Sequence, residues 1–246
     1  MFTKLNLSAK KIILITGMTR SGKTLLSPII SSLENCEQFF FNTIAENILV
    51  MNYMKKINLN ISDHLIKKTL NECIYDKLLG RNLNTKKEDI TFIELYKNNK
   101  IYKKRANSKK GKNIENSKEL KKNIFPILFH SALLNLPLID YSLNNPKIIN
   151  ISRHPVDLIG SWVRKNYGKS NYSRSITTVC NYNYKSHSLP FFCLGIEKEF
   201  IKQKSNEDRI VKMIYNLDIK FKKNYLKSKN KKNICLIKLD HFVSEP

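Results

Sequence analysis

The apolar residues of this chain form short runs that alternate with longer stretches of helical spacing. Residues 11–16 (KIILIT) are a continuous apolar run, which is typical of a strand buried in a parallel sheet. Strands separated by helices predict an α/β fold with a mostly parallel central sheet flanked by helices. The predicted strands are 11–16, 38–42, 125–130, 147–152 and 233–240. The predicted helices follow residue 24, cover 44–56, 62–79, 155–166, 196–204 and 206–226, and include a stretch with Leu133, Leu134 and Leu136.

Two stretches break this alternation because they are polar. Residues 80–123 are dense in Lys and Asn, and residues 167–189 are polar and rich in Tyr. We expect a single domain over residues 1–246, with 80–123 as a loop or excursion from the core that has room for a helix. We expect 167–189 to be a loop.

The charge balance is strongly positive, with 44 Lys and Arg against 20 Asp and Glu, or +24 at pH 7. Only seven of these cations are Arg, the residue that nucleic-acid binders favour for bidentate contacts. Lys, Ile and Asn are also the residues of A/T-rich codons, so coding bias can account for much of the excess. The charge favours an anionic ligand. A basic nucleic-acid-binding protein stays an alternative, although we do not expect nucleic acid to be the main partner.

The cysteines and the chain start predict a cytoplasmic protein. Cys36, Cys73, Cys180, Cys193 and Cys235 are scattered without C-x-x-C spacing, which indicates free thiols in a reducing compartment and no metal site. No apolar stretch precedes the first strand and no run approaches 18 apolar residues, so we expect neither a secretory signal nor a membrane span.

The clearest motif is Gly17-Met-Thr-Arg-Ser-Gly-Lys-Thr24, which matches G-x-x-x-x-G-K-[ST] between a predicted strand and a predicted helix. Its glycines let backbone N–H groups turn inward, and the helix N-terminus adds partial positive charge. Lys23 adds a full charge. The motif predicts a phosphate-binding loop (P-loop) and therefore a P-loop NTPase-like three-layer fold.

A nucleotide-hydrolysing or kinase site also needs magnesium. Thr24 would hold the ion, and an acid at the end of a second strand would complete the site. The strand 147–152 ends in Ser152 without an acid, and only Asp240 at the end of the last strand could serve. A P-loop kinase that uses Mg-ATP is therefore the alternative enzyme class.

The second motif is Ile149-Asn-Ile-Ser-Arg-His-Pro-Val-Asp-Leu-Ile-Gly-Ser-Trp162. Arg153 leaves a strand and Ser161 lies eight residues later in the next helix, so the two donors can converge on one anion. The alternative is that Arg153 pairs with Asp157 and that Ser161 is simply a small helix residue. Spacing alone does not separate these interpretations.

Together the two motifs, TGMTRSGKTLL and ISRHPVDLIGSW, resemble the sulfotransferases that use 3′-phosphoadenosine 5′-phosphosulfate (PAPS). Family members similar to this chain carry G-M-P-R-S-G-T-T-L-L and R-H-P-x-D-x-x-x-S-W. The segment 237–246 (IKLDHFVSEP) is similar to a third family feature, R-Y-E-D-L-V-x-D-P. The resemblance spans nearly the whole chain. It implies transfer of a sulfuryl group from PAPS to a hydroxyl or amine of a small-molecule or glycan acceptor, without a metal.

The resemblance also implies roles for individual residues. The P-loop would hold the 5′-phosphosulfate, and Arg20 lies where the family has a Lys or Arg beside the transferring group. Arg20 and, from its own charge rather than from the resemblance, Lys23 are the candidates to stabilise the charge that develops on the leaving phosphate. Arg153 and Ser161 match the two residues that grip the 3′-phosphate. The residues expected to bind the cofactor are Arg20, Ser21, Gly22, Lys23, Thr24, Arg153 and Ser161.

The reaction also needs a base for the acceptor proton. His130 ends a predicted strand about two dozen residues before Arg153, and it resembles the strand-end His of the family. Glu46, in the helix after the second strand, is the alternative because some family members use a carboxylate. A histidine that only packs in the core is the third possibility.

Three features depart from the family pattern. Lys23 stands where the family usually has Thr, which adds a cation to the loop, and Thr19 stands where Pro is usual. The sequence ends at Pro246, where many relatives continue with a helix and a basic, glycine-containing segment over the 3′-phosphate. That part of the family's cofactor site has no counterpart in these residues.

Overall fold

The core of the protein is a sheet of five parallel strands, seen in a computed structural model that describes residues 5–108, 114, 117–169 and 180–244. The strands of this sheet are β1 (Lys11–Thr16), β2 (Phe40–Phe41), β3 (Ile124–Leu128), β4 (Lys147–Ser152) and β7 (Ile234–Lys238), and a separate hairpin contains β5 (Asn181–Tyr184) and β6 (His187–Pro190). The order in the sheet is β2-β3-β1-β4-β7. This arrangement confirms the predicted α/β class with its mostly parallel sheet.

The central position of β1 follows from its composition, because Leu14 and Ile15 are fully buried. Each side of β1 pairs with a parallel neighbour: Ile15 is in register with Leu128 of β3, and Thr16 with Asn150 of β4. The carboxyl ends of β3, β1 and β4 therefore lie side by side at one edge of the sheet. Ligands bind at this edge in open α/β sheets.

Helices follow most strands and begin at residues that suit a helix N-terminus. Asn42, Asn58 and Ser205 each accept a hydrogen bond from a first-turn backbone N–H. The helices are α1 (Lys23–Ser31), α2 (Thr43–Tyr53), α3 (Leu59–Leu79), α4 (Asn99–Ala106), α5 (Lys118–Lys122), α6 (Leu136–Leu143), α7 (Pro155–Val163), α8 (Glu197–Lys202), α9 (Asn206–Lys227) and α10 (Leu239–Ser244).

Apolar side chains on both faces of the sheet create three layers. On one face, Ile15 and Ile151 pack with Leu26 of α1, and α10 contributes Leu239 and Phe242. On the other face a larger core joins the sheet to α2, α3, α6, α7 and α9. Among the residues that the structure describes, no helix is long and apolar enough to cross a membrane.

The Lys/Asn-rich stretch contains helices in its described part. Of residues 80–123, those outside 109–113 and 115–116 are described, and they include α4, α5 and a short 3-10 helix at Ile93–Leu95. Tyr102 and Arg105 of α4 are buried, and Arg105 binds the carboxylate of Glu37 from outside the stretch. Local composition could not reveal this partner, which lies 68 residues away in the chain.

The Tyr-rich stretch 167–189 was predicted to be a loop, but part of it forms the antiparallel hairpin of β5 and β6. Its strands have only four residues each and alternate weakly, so the sequence carried little signal. The Tyr182 hydroxyl donates a hydrogen bond to Glu197 at the start of α8 and anchors the hairpin. Residues 170–179 of the predicted loop lie outside the described residues.

Candidate functional site

The predicted P-loop lies between β1 and α1, and its two glycines are required by the space around them. Gly17 has φ +144°, and a Cβ at this position would lie 2.1 Å from the carbonyl oxygen of Ile151 in β4. Gly22 has φ +100°, and a Cβ there would lie 2.7 Å from the side chain of Leu239. The loop is therefore pressed against the neighbouring strand and α10. The first N–H groups of α1 have no partner within the helix and can bind an anion.

Lys23 lies inside this loop rather than above it. Its ammonium donates to the carbonyl oxygens of Gly17 at 2.7 Å and Met18 at 2.6 Å, and the residue is only 3% exposed. Burial lowers the pKa of Lys23 to about 7; the charge of Glu46 opposes this shift and that of Arg20 adds to it. The loop therefore contains a cation that titrates near neutral pH.

The second motif packs directly on the P-loop, and three hydrogen bonds join them. Arg20 Nε donates to Ser161 Oγ at 3.1 Å, and Trp162 Nε1 donates to the carbonyl oxygen of Thr19 at 2.8 Å. Arg153 Nη1 donates to the carbonyl oxygen of Arg20 at 3.4 Å. Residues more than 130 positions apart thus form one surface. The guanidinium of Arg153 therefore lies against the P-loop backbone.

His130 and Glu46, the two predicted bases, are neighbours. Glu46 belongs to the first turn of α2, and its Oε2 accepts a hydrogen bond from the backbone N–H of His130 at 2.8 Å. The same oxygen lies 3.8 Å from Nδ1 of the His130 ring. The ring also meets Phe41 edge-on, with 5.0 Å between centroids. His130 does not end the strand as predicted but lies two residues beyond Leu128, in the loop that follows β3.

Two of the predicted site residues have a buried polar atom without a hydrogen-bond partner among the described residues. Ser21 Oγ belongs to a P-loop residue that is 1% exposed, and Glu46 Oε1 is the second oxygen of the carboxylate beside His130. Unpaired buried groups are rare in folded proteins because each costs free energy. A phosphate oxygen could accept from the Ser21 hydroxyl, so the residues present fit an anionic ligand. Thr24, in contrast, is exposed.

A cavity of about 770 Å³ opens beside the P-loop and was not predicted. Ser21 and Arg153 line one end, Lys238 lies on its wall, and α7 and α9 supply apolar walls. A sequence signal lies in α9, where Val211 and Tyr215 are apolar residues outside the stripe of buried positions. The structure leaves them 43% and 64% exposed at the cavity. The volume suits an apolar group attached to an anion held by the loop.

A P-loop kinase needs an acidic residue at the end of a strand near the P-loop to complete its magnesium site, and the strands beside β1 lack one. The strands beside β1 are followed by His130 and Arg153, neither of which is an acid. Asp240 was predicted at a strand end but lies in α10, and β7 is separated from β1 by β4. Within residues 5–108, 114, 117–169 and 180–244, no group of three or more His, Cys, Asp or Glu is placed to hold a metal ion.

Comparisons with known proteins give likenesses to solved structures but no sequence match. No protein-family model and no curated protein sequence matches this chain. Among solved structures, a sulfotransferase domain from the curacin biosynthetic pathway aligns with 99% of this chain and 71% of its own length, at 13% identity and a TM-score of 0.44. A likeness of this size carries no argument about function, which has to be made from the residues of the site.

Proposed function

We propose that this protein transfers a sulfuryl group from PAPS to a hydroxyl or amine of a small-molecule or glycan acceptor. The observation that carries the proposal is the contact between the two motifs. Arg20 of the P-loop binds Ser161, and Arg153 binds the backbone of Arg20. Two groups of anion-binding side chains are therefore adjacent, as a ligand with phosphates at two positions requires. A simple nucleoside triphosphate has no need of the second group.

The P-loop is suited to the 5′ side of such a ligand. The Ser21 hydroxyl and the N–H groups at the start of α1 can donate to phosphate oxygens. Arg20 uses Nε for Ser161, and its guanidinium has further N–H donors to offer an anion. Lys23 adds charge from inside the loop. Gly22 has no side chain that would cover the backbone N–H groups at the start of α1. PAPS supplies the sulfuryl group.

Arg153 and Ser161 are the proposed contacts for the 3′-phosphate, since both lie beside the loop on the β4 side. The cavity next to Ser21 and Arg153 has the apolar walls that a nucleobase needs. On the β3 side, His130 and Glu46 are the proposed proton-accepting group. In this proposal the P-loop lies between the contacts for the 3′-phosphate on the β4 side and the proton-accepting residues on the β3 side.

Calorimetry with 3′-phosphoadenosine 5′-phosphate (PAP) tests the proposal. We expect PAP to bind without magnesium, and Arg153→Ala to weaken binding by more than tenfold, or at least about 1.4 kcal/mol. Arg164→Ala is the matched control, because Arg164 is an exposed arginine at the end of α7 outside the motif. We expect it to change PAP affinity by less than about twofold.

Two results would contradict the proposal. Magnesium-dependent ATP binding that is insensitive to Arg153→Ala would favour the P-loop kinase, for which Lys23 and Thr24 complete the loop motif. Absence of nucleotide binding, together with affinity for duplex DNA that falls steeply with salt, would favour the nucleic-acid-binding alternative.

A further inference from the structure

His130 and Glu46 have different access to the site, although either could accept a proton. The Glu46 side chain is 3% exposed, whereas the His130 side chain is 30% exposed. Oε2 of Glu46 is already bound to the backbone N–H of His130. A group that takes a proton from an acceptor has to contact that acceptor. Exposure therefore favours His130 as the group in contact and leaves Glu46 behind it.

Glu46 is placed to act on His130 in two ways. Through Oε2 it holds the backbone of His130 at 2.8 Å, and the same oxygen lies 3.8 Å from Nδ1. The second distance is longer than a hydrogen bond, but contacts of this kind are often long before ligands bind. Phe41 limits the ring on a further side.

The surroundings of Glu46 keep the carboxylate at this position. The ammonium of Lys23 attracts it from the P-loop. Burial raises the pKa of the Cys180 thiol above its usual range, and the charge of Glu46 adds to this shift. Cys180 is itself bound to Asn47 Oδ1 at 3.2 Å. Oε1 of Glu46 has no hydrogen-bond partner among the described residues, so the carboxylate keeps an unused acceptor.

We propose that Glu46 is a positioning residue that keeps the proton of neutral His130 on Nδ1 and so leaves Nε2 free to accept the proton of the acceptor. This inference rests on the proposed function. In the transfer step, the acceptor oxygen or nitrogen bonds to sulfur and gives its proton to Nε2. The bond between sulfur and the bridging oxygen of the donor breaks, and its electron pair stays on that oxygen. The hydrogen bond made by one ring nitrogen determines which nitrogen carries the proton.

The tautomer of His130 can be measured without any ligand, by long-range ¹H–¹⁵N NMR of the full chain at a pH where its imidazoles are neutral. We expect Nδ1–H in the wild type and in Glu46→Gln, whose amide oxygen can still accept. In Glu46→Met, which has a similar size and no acceptor, we expect Nε2–H to predominate. The rings of His154 and His241 serve as internal controls, and Glu34→Gln, an exposed substitution, is the matched control.

Two NMR results would overturn the inference. One is a wild-type His130 that carries its proton on Nε2. The other is a folded Glu46→Met variant in which His130 keeps Nδ1–H. If Glu46→Met does not fold, the wild-type spectrum still tests the tautomer, and the kcat of Glu46→Gln tests the role of Glu46. The NMR measurement uses no PAPS. The inference on the tautomer can therefore fail while PAP binds as expected, whereas a failure of the proposed function would appear as a loss of PAP binding.

Turnover gives an independent readout. We expect Glu46→Gln to lower kcat by about tenfold through loss of charge, with KM for PAPS changed by less than about twofold. We expect His130→Ala to lower kcat by about 10²- to 10⁴-fold and to leave PAP affinity intact. Retained turnover in His130→Ala, with loss of turnover in Glu46→Gln, would make Glu46 the base and overturn the assignment.

Discussion

Lys23 and Arg105 are cations with buried side chains, and their surroundings are opposite. Lys23 lies in the P-loop and Arg105 lies in α4, at 3% and 7% exposure. Arg105 donates to both oxygens of Glu37 at 2.9 and 3.0 Å. Lys23 has only carbonyl oxygens around its ammonium, and no carboxylate among the described residues is within ion-pair distance. Burial alone would lower both pKa values. Hydrogen bonds and the charge of Glu37 outweigh it for Arg105, whose pKa is raised, whereas the pKa of Lys23 falls to about 7.

The contrast separates a cation whose charge is paired within the fold from one that has only carbonyl oxygens as partners. The charge of Arg105 is compensated inside the protein, and the Tyr102 hydroxyl and Asn123 complete the hydrogen bonds of Glu37. The charge of Lys23 is not, so an anionic ligand can supply the missing partner. A buried cation without a carboxylate is a sign of a site.

The largest effect is expected when Arg105 is removed. Arg105→Leu leaves Glu37 buried without its cation, and we expect a loss of about 4 kcal/mol in the free energy of unfolding, measured by chemical denaturation. Arg81→Leu is the control, since Arg81 is 62% exposed and should cost less than about 1 kcal/mol. A double variant that also carries Glu37→Leu should recover much of the loss. A small effect of Arg105→Leu alone would show that the pair does not anchor α4.

Lys23 should give a pH-dependent stability that Arg105 does not. The pKa of Lys23 is lowered from 10.5 to about 7, so between these values the unfolded chain binds more protons than the native protein. Lys23 should therefore raise the free energy of unfolding by about 3 kcal/mol from pH 7 to pH 10. Below pH 7 the residue is protonated in both states and should add no pH dependence. The pKa of Arg105 is raised above an already high value, so Arg105 stays charged over this range and adds no slope.

The measurement compares the unfolding free energy of wild type and Lys23→Thr across pH 7 to 10. Lys77, whose pKa burial lowers to about 8, contributes a slope of the same sign in both proteins and cancels in the difference. Parallel curves for the two proteins would contradict the low pKa of Lys23. An anionic ligand such as PAP should favour the charged form of the Lys23 amine in the native protein. It should therefore reduce the difference in unfolding free energy between wild type and Lys23→Thr at pH 8.

The smallest effect is expected for the contact between the two motifs. Ser161→Ala removes the acceptor of Arg20 Nε, and we expect a loss of about 1 kcal/mol in the free energy of unfolding. Ser142→Ala is the matched control, because Ser142 is equally buried and its Oγ has no partner among the described residues. We expect the control to be neutral within about 0.5 kcal/mol. Equal effects for both serines would show that the contact with Arg20 adds no stability.

Local parts of the fold could be predicted because short-range sterics determine them. The apolar runs that became β1 and β4 were found with correct bounds, and the G-x-x-x-x-G-K-T spacing located a loop that needs glycine at 17 and 22. The predictions were less accurate where a segment depends on distant partners. The predicted strand 38–42 is only Phe40–Phe41, and the hairpin of β5 and β6 was not found.

The sequence by itself therefore determined the α/β class, the position of the predicted P-loop and the identity of the residues proposed to bind PAPS or accept a proton. Only the tertiary structure decided how they meet. It placed Ser161 on Arg20 across 141 positions and Glu46 beside His130 across 84, because strands that are distant in the chain end at one edge of the sheet. It also decided that Lys23 is buried without a carboxylate partner, since burial and charge come from the packed neighbours rather than from the residue type.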